Sequence, residues 1–190
     1  MKNFEWLVYT YKHRRTIEYL IEKLPLSDEL RIEMRKRAKT HDVDKLMMYM
    51  FLSQEDSQKY HVMHQPHHLD NDLPKTYADY VETVIDFESA PYTKPDKPLN
   101  AFDFTHKLLD MGLINNDTAV ILFDIMHVLK IDYSYDSTKN EEFKTFVASL
   151  GEITEEMILL EVFEYAHCFP NELELIKGLF KNSPKGETSQ

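Results

Sequence analysis

The sequence predicts an all-α fold, arranged as one helical domain. Apolar residues recur at intervals of three and four along much of the chain, which is the period of a helix with one buried face. Only four of the 190 residues are glycine, and alternating polar and apolar runs are few, so the pattern does not favour strands. A chain of this length can bury one sizeable core. We therefore expect a single domain over residues 1–181, followed by a disordered tail over residues 182–190.

The first two helices are predicted by apolar periodicity and by the residues that bound them. Apolar residues recur at helical spacing over residues 4–24, and Pro25 ends this first helix. Ser27 is a suitable N-cap for the second helix. The apolar stripe of the second helix continues to His41, which places this histidine on the buried face, and Asp42 follows at the end of the helix.

Two further helices are predicted in the middle of the chain. Over residues 54–68, three histidines stand at i, i+3 and i+7, which would align their rings along one stripe if the helix persists. Pro66 removes a backbone hydrogen bond and so argues against a last helical turn. Thr76 and Asp79 resemble a capping box, with Asp in place of the usual Glu or Gln, and this pair predicts a helix over residues 77–90.

The C-terminal half is predicted to contribute accessory helices. Residues 91–100 contain three prolines and are predicted to form a linker or a lid. A polar loop is predicted over residues 131–140. The accessory helices are predicted over residues 101–111, 117–129, 141–150, 154–167 and 171–181.

Composition excludes several classes of function. The net charge of -11 argues against binding of a nucleic-acid polymer, because such binding depends on basic patches that neutralise phosphates. The single cysteine, Cys168, excludes an internal disulfide framework and suits a reducing compartment. No stretch approaches the roughly 20 apolar residues that span a bilayer, and the charged N-terminal residues do not resemble a signal peptide. We expect a cytoplasmic protein without membrane association.

Histidines are concentrated in residues 40–86. Five of the nine histidines lie there, in the phrase His41-Asp42-Val43-Asp44-Lys45 and in the phrase His-Val-Met-His-Gln-Pro-His-His over residues 61–68. Imidazole nitrogens and carboxylate oxygens suit divalent Fe, Mn, Co, Ni or Zn. An adjacent His-Asp pair can serve one site only at a helix end or bend, because successive residues of a helix diverge by about 100 degrees. The cluster predicts a metal site.

His41-Asp42 and Lys45 resemble the HD-x-x-K phrase of the HD-domain metal-dependent phosphohydrolases. In that all-α superfamily, a histidine, a His-Asp pair and a distant aspartate bind a metal between helices. His13 and Asp86 fit the first and last positions of this order. The resemblance implies an HD-like helical bundle, with the metal core in residues 1–90 and the accessory helices in residues 101–181.

The interval between the His-Asp pair and Asp86 resembles the superfamily members that hold two metals. These members add one histidine and then a His-His pair. In this chain, His61 or His64 takes the first of these positions, and His67-His68 takes the second. The complete order of ligand types is more specific than the His-Asp pair alone.

The likeness is closer to a group of uncharacterised bacterial and phage proteins, and it covers about residues 10–90. That group shares an HD-x-S-K phrase, an HxxHNxHHPE-like phrase and an acidic helix similar to E-M-x-x-D-W. This chain departs from these phrases at Asp44 (for Ser), Gln65 (for Asn), Leu69-Asp70 (for Pro-Glu) and Phe87 (for Trp). It also lacks the GYP phrase of the HD-GYP phosphodiesterases, so the resemblance does not imply a cyclic dinucleotide as substrate.

The resemblance implies metal-assisted hydrolysis of a small phosphorylated compound, with nucleotides favoured by analogy. One or two divalent cations are expected. Asp42 is expected to bridge two metals, and Lys45 to stabilise charge on the phosphoryl group. Glu82, one turn before Asp86, is expected to orient a ligand histidine. The expected metal ligands are His13, His41, Asp42, His61, His64, His67, His68 and Asp86, with at least two of the four histidines in residues 61–68 taking part.

Other interpretations remain open at this point. The same ligand set could hold iron and activate O₂, as in an HD-type di-iron oxygenase. A non-catalytic protein could keep the fold and bind a partner through its acidic surface. At the level of single residues, the His-Asp pair could cap a helix end, Asp86 could be a solvated helix carboxylate, and His13 could be ion-paired on the surface.

Overall fold

The structure is a computed structural model that describes residues 3–93, 99–136 and 141–168, together with Glu174 and Gly178, but not the side chains of Phe143 and Cys168. Nine helices and no strands lie within these residues, which confirms the prediction of an all-α fold. None of the described helices combines the length and the apolar character that crossing a membrane requires. The helices are α1 Phe4–Lys23, α2 Asp28–Ala38, α3 Val43–Met48, α4 Gln54–His64, α5 Tyr77–Thr93, α6 Ala101–Asp110, α7 Asn116–Val128, α8 Glu141–Ser149 and α9 Glu155–Cys168.

Helix starts agree with the capping residues in the sequence. Ser27 Oγ accepts a hydrogen bond from the Leu30 backbone N–H at 3.3 Å, which confirms Ser27 as the N-cap of α2. At the start of α5, Asp79 Oδ2 accepts from the Thr76 backbone N–H at 2.6 Å, and Thr76 Oγ1 accepts from the Asp79 backbone N–H at 3.3 Å. This reciprocal pair is the predicted capping box.

Helix ends depart further from the predictions. α2 ends at Ala38, three residues before His41, so His41 and Asp42 lie in the turn that follows the helix. α4 ends at His64, and Gln65 is extended, with φ -105° and ψ 120°. The helix therefore stops before residue 68, which confirms the expectation that Pro66 argues against a last helical turn.

α5 runs through Pro91 to Thr93, so the predicted linker does not begin at residue 91. A proline removes one backbone hydrogen bond, and here it stands in the last turn, where the helix ends two residues later. Pro91 is also buried, so packing offsets part of that loss. Four predicted segments lie wholly or partly outside the described residues. They are residues 94–98 of the linker, residues 137–140 of the loop, the tail, and the helix over residues 171–181 apart from Glu174 and Gly178.

Two apolar clusters position the polar site between them. α5 packs against α1, α2, α6 and α7, and the larger cluster includes Ile17 of α1, Ile85 of α5 and Leu122 of α7. The second cluster joins α1, α3 and α9 and includes Leu7 of α1. His13 lies between Leu7 and Ile17 along α1, at the level where the apolar contacts change from one cluster to the other.

Candidate metal centre

His41 and Asp42 enter the site through a bend between α2 and α3. Asp42 has φ 58° and ψ 7°, in the left-handed region that few residues other than glycine, asparagine and aspartate adopt. His41 Nε2 lies 3.7 Å from Asp42 Oδ1, so both side chains turn to the same side. In a regular helix these two side chains would point about 100 degrees apart. The left-handed residue supplies the bend that adjacent ligands require.

The structure brings seven of the eight expected ligands together in overlapping groups. Within each group the potential ligand atoms lie within 4.8 Å of one another, and most of the side chains are buried. The groups are His13, His41 and Asp42; Asp42, His61, His67 and His68; and His41, His67 and Asp86. Among the described residues there are therefore buried histidine and aspartate groups that could hold a metal ion.

Five of the potential ligand atoms are buried and have no hydrogen-bond partner within the part of the chain that the structure describes. They are His41 Nε2, Asp42 Oδ1, His61 Nε2, His67 Nε2 and His68 Nε2. His61 Nε2 lies 2.9 Å from Asp42 Oδ1, but neither atom makes a hydrogen bond of acceptable geometry. Each unsatisfied buried polar atom costs about 1–3 kcal/mol. These atoms belong to overlapping ligand groups, so cations bound to those groups would satisfy them, and the donor set fits a divalent metal.

The second ring nitrogen of three histidines faces a hydrogen-bond acceptor. Nδ1 lies 2.9 Å from Glu82 Oε1 in His41, 2.8 Å from Asp44 Oδ2 in His61, and 3.1 Å from Ser89 Oγ in His13. The Ser89 hydroxyl donates its proton to the Asp86 backbone oxygen at 2.8 Å, so the hydroxyl oxygen can accept a hydrogen bond from His13 Nδ1. In His41 and His61, an acceptor at Nδ1 keeps the proton there and leaves the Nε2 lone pair free to bind a metal, whereas Nε2 of His13 lies 2.9 Å from Asp86 Oδ1.

Glu82 occupies the position expected of a residue that orients ligand histidines. Besides its bond with His41, Glu82 Oε1 lies 3.5 Å from Nδ1 of His67. Its other oxygen accepts a hydrogen bond from Arg37 Nη1 at 3.0 Å, and the same nitrogen donates to Asp79 at 2.7 Å. One carboxylate thus contacts two histidines of the site and is itself held by a guanidinium group.

The charges of the site favour ionised carboxylates and a neutral His67, whereas neighbouring carboxylates outweigh burial and raise the pKa of His41 and of His61. Burial opposes ionisation of Asp42, but Lys45, His41 and His61 hold its pKa well below the usual value. Burial likewise opposes ionisation of Asp86, and its hydrogen bond with His13 outweighs that effect and lowers the pKa. Burial lowers the pKa of His67 to about 4. Ionised carboxylates and neutral imidazoles are the forms that coordinate metals.

Lys45 lies directly beside Asp42. Its Nζ is 2.9 Å from Asp42 Oδ2, and the side chain is largely buried. Burial by itself would lower the pKa of Lys45, but the neighbouring Asp42 and Asp86 raise it. The lysine therefore carries its positive charge at neutral pH, next to the carboxylate that two of the ligand groups share.

The structure separates His64 from the other histidines of its phrase. Its side chain is exposed, its ring stacks on Tyr60 at a centroid distance of 4.0 Å, and its Nδ1 lies 2.7 Å from the Tyr60 backbone oxygen. α4 ends at His64, so His67 and His68 reach the site through the following turn instead of along a helical stripe. Of the two histidines that could fill the first position, the geometry therefore brings His61 and not His64 to the other candidate ligands, and α4 ends too early for the stripe that a longer helix would form.

Three residues of the site were not predicted from sequence. Asp44 is buried and bonds His61, Arg37 holds Glu82, and Ser89 contacts His13. A signal existed for Asp44, since the His-Asp phrase contains this second carboxylate. A signal also existed for Ser89, which lies one turn after Asp86 on the same helix face. Arg37 has no local signal, because its contacts join residues more than 40 positions apart.

The residues that carry the resemblance to known proteins all lie in the N-terminal half of the chain. They form the two histidine phrases and the acidic stretch of α5, and the structure places most of them at this centre. A search of protein-family models, curated proteins and solved structures found no match to this chain.

Proposed function

We propose that this protein is a metal-dependent phosphohydrolase that acts on a small phosphorylated substrate. The observation that carries this proposal is the convergence of five buried ligand atoms without hydrogen-bond partners. A nucleotide is the favoured substrate by resemblance to the HD-domain phosphohydrolases. Imidazole and carboxylate ligands suit divalent Fe, Mn, Co, Ni or Zn.

The arrangement around Asp42 supports two cations. Asp42 Oδ2 lies 3.7 Å from His13 Nε2, whereas Asp42 Oδ1 lies 2.9 Å from His61 Nε2. Oδ2 therefore faces His13, whereas Oδ1 faces His61 and, at 3.7 Å, His41. In the proposal, two cations would share Asp42; His13, His41 and Asp86 would hold one of them, and His61, His67 and His68 would hold the other.

The residues of the site contribute positioning and charge. When bound, divalent cations supply an activated water molecule and polarise a phosphoryl oxygen. Lys45 holds a positive charge beside Asp42 and stabilises negative charge on the phosphoryl group, an effect often worth a few kcal/mol. Asp44, Glu82 and Ser89 hold the histidine rings so that each Nε2 faces the ligand group.

Metal analysis of protein purified without chelator, combined with a panel of nucleotides, phosphomonoesters and phosphodiesters, tests the proposal. We expect bound metal and metal-dependent release of phosphate or of a phosphomonoester. His41→Ala and Asp42→Ala should lose the metal, whereas His64→Ala, which changes an exposed histidine of the same phrase, should retain it.

The same experiment separates the alternatives. Bound iron with O₂ consumption and without phosphate release would replace the hydrolase by a di-iron oxygenase. Bound metal without either activity would favour a non-catalytic metal-binding protein. Native protein without metal, whose thermal stability does not change on addition of Mn, Fe or Zn, would overturn both enzyme proposals.

A further inference from the structure

A cavity of about 660 Å³ lies between α1, α2 and α9. Cavities that bind small organic ligands commonly have volumes of about 300–1,000 Å³. None of the described residues that line this cavity is a candidate metal ligand. The cavity therefore needs an explanation other than the metal centre.

The lining of the cavity is rich in basic side chains, although the chain as a whole has a net charge of -11. Among the described residues, Arg14, Arg15, Lys36 and Lys39 line it together with three glutamates, Glu18, Glu161 and Glu164, of which Glu18 and Glu161 are paired with the arginines. Lys36 and Lys39 are exposed, and within the described part of the chain neither has an ion-pair partner. Basic residues near the C-terminus of α2 are favoured by the helix dipole, but the dipole explains neither the cavity nor the buried arginine beside them.

Arg14 connects this cavity to the backbone of the metal centre. It is buried, and its guanidinium group donates to the backbone oxygens of His41 and Lys39 and to the Glu161 carboxylate. Arg15 forms ion pairs with Glu18 and with the same Glu161. One carboxylate of α9 therefore lies against both arginines, at a position where an incoming anion would compete with it.

We propose that this cavity binds a small organic phosphate with at least two negative charges. Arginine forks and lysine ammonium groups are the side chains that bind phosphate oxygens best, through charge-assisted hydrogen bonds. Lys36 and Lys39 supply unpaired charge, and Arg15 supplies a guanidinium group at the cavity wall. The volume leaves room for an organic part beside the phosphate group. This site is separate from the proposed catalytic centre and does not depend on its activity.

Calorimetric titration of the full chain with inorganic pyrophosphate tests the proposal. The protein is first stripped of metal with chelator and then dialysed, so that the metal centre contributes nothing. We expect saturable binding that is weakened about tenfold or more in the double variant Lys36→Gln/Lys39→Gln, because two charge-assisted contacts are lost. Both lysines are exposed, so this variant should unfold at the same temperature as the unmodified chain.

The matched control is the double variant Lys59→Gln/Lys107→Gln, which removes the same charge from exposed lysines of α4 and α6. It should bind pyrophosphate as the unmodified chain does. The variant Glu161→Gln should bind more tightly, because it removes the competing carboxylate. Absence of saturable binding, or equal weakening by both lysine pairs, would overturn the proposal. Neither result bears on the proposed metal-dependent activity, which is tested by the metal content of the native protein.

Discussion

Asp44 Oδ2 lies 2.8 Å from Nδ1 of His61, and this contact determines which nitrogen of the ring faces Asp42. The opposite nitrogen, Nε2, lies 2.9 Å from Asp42 Oδ1. A carboxylate behind a ligand histidine fixes the ring and its tautomer and makes the ligand more basic. The substitution Asp44→Asn should therefore weaken metal binding by about 10- to 100-fold. A competition titration with a chromophoric chelator measures this affinity.

The control for this substitution is Asp72→Asn, which removes an exposed carboxylate from the loop after the second histidine phrase. It should leave the metal affinity unchanged. An unchanged affinity in Asp44→Asn would show that Asp44 does not support the ligand.

His64 and His67 provide a comparison within one histidine phrase. His64 is exposed and stacks on Tyr60, whereas His67 is buried, with its Nε2 unsatisfied. A ligand that binds only the folded protein stabilises it by about 2.7 kcal/mol at a hundred times its Kd. We expect added Mn or Zn to raise the unfolding temperature of His64→Ala as in the unmodified chain, and to raise that of His67→Ala much less.

Thermal unfolding with and without added metal measures both variants. Equal metal-induced shifts in His64→Ala and His67→Ala would contradict the assignment of His67 to the site.

The left-handed backbone of Asp42 predicts different stabilities for two substitutions that both remove its charge. Asparagine adopts this conformation readily, whereas for alanine a left-handed backbone at φ 58° costs about 1–2 kcal/mol of conformational free energy. Asp42→Asn and Asp42→Ala should both lose metal binding. In metal-free protein, however, Asp42→Ala should be less stable than Asp42→Asn by about 1 kcal/mol.

Urea unfolding in the presence of chelator measures this difference. Both variants lose the carboxylate charge beside Lys45, so that loss cancels; the amide oxygen of asparagine can still accept a hydrogen bond from Lys45 Nζ, which adds to the expected difference. Equal stability would mean that the bend relaxes when the side chain is removed.

Glu88 predicts a pH dependence of stability outside the metal centre. The residue is 2 % exposed, its Oε2 accepts from the Ala101 backbone N–H at 3.0 Å, and its Oε1 accepts from the Tyr135 hydroxyl. Burial raises its pKa from 4.5 to about 7, although the bonds with Tyr135 and Ala101 act in the opposite direction. The folded protein therefore holds a proton that the unfolded chain has lost in this pH range.

Because the folded-state pKa lies above the unfolded value, the stabilising contribution is complete below pH 4.5 and is lost as the pH rises through about 7. The free energy of unfolding falls by on the order of 3 kcal/mol over this pH range. In Glu88→Gln this part of the pH dependence should disappear, while Glu55→Gln, at an exposed glutamate, should keep it. Urea titrations of metal-free protein between these pH values measure the effect. A pH profile of Glu88→Gln that matches the unmodified chain would refute this origin.

Much of the secondary structure could be predicted because its causes are local. Ser27 and the Thr76–Asp79 pair cap helices through hydrogen bonds that span three residues, and Pro25 prevents continuation of α1 at its own position. Helix ends were predicted less well because they depend on packing between distant segments as well as on local signals. Whether α5 passes Pro91 depends on packing as well as on the lost hydrogen bond.

The sequence by itself determined that the chain is helical, and the order of its histidines and aspartates predicts a metal site. Only the tertiary structure decided which of them meet. His67 is buried beside His41 and His64 is exposed, because α4 ends before the turn that carries His67 inward. Arg37 of α2, Asp44 of α3 and Ser89 of α5 support the site. Their contacts depend on how these helices pack, because the hydrogen bonds join residues that are distant in the chain.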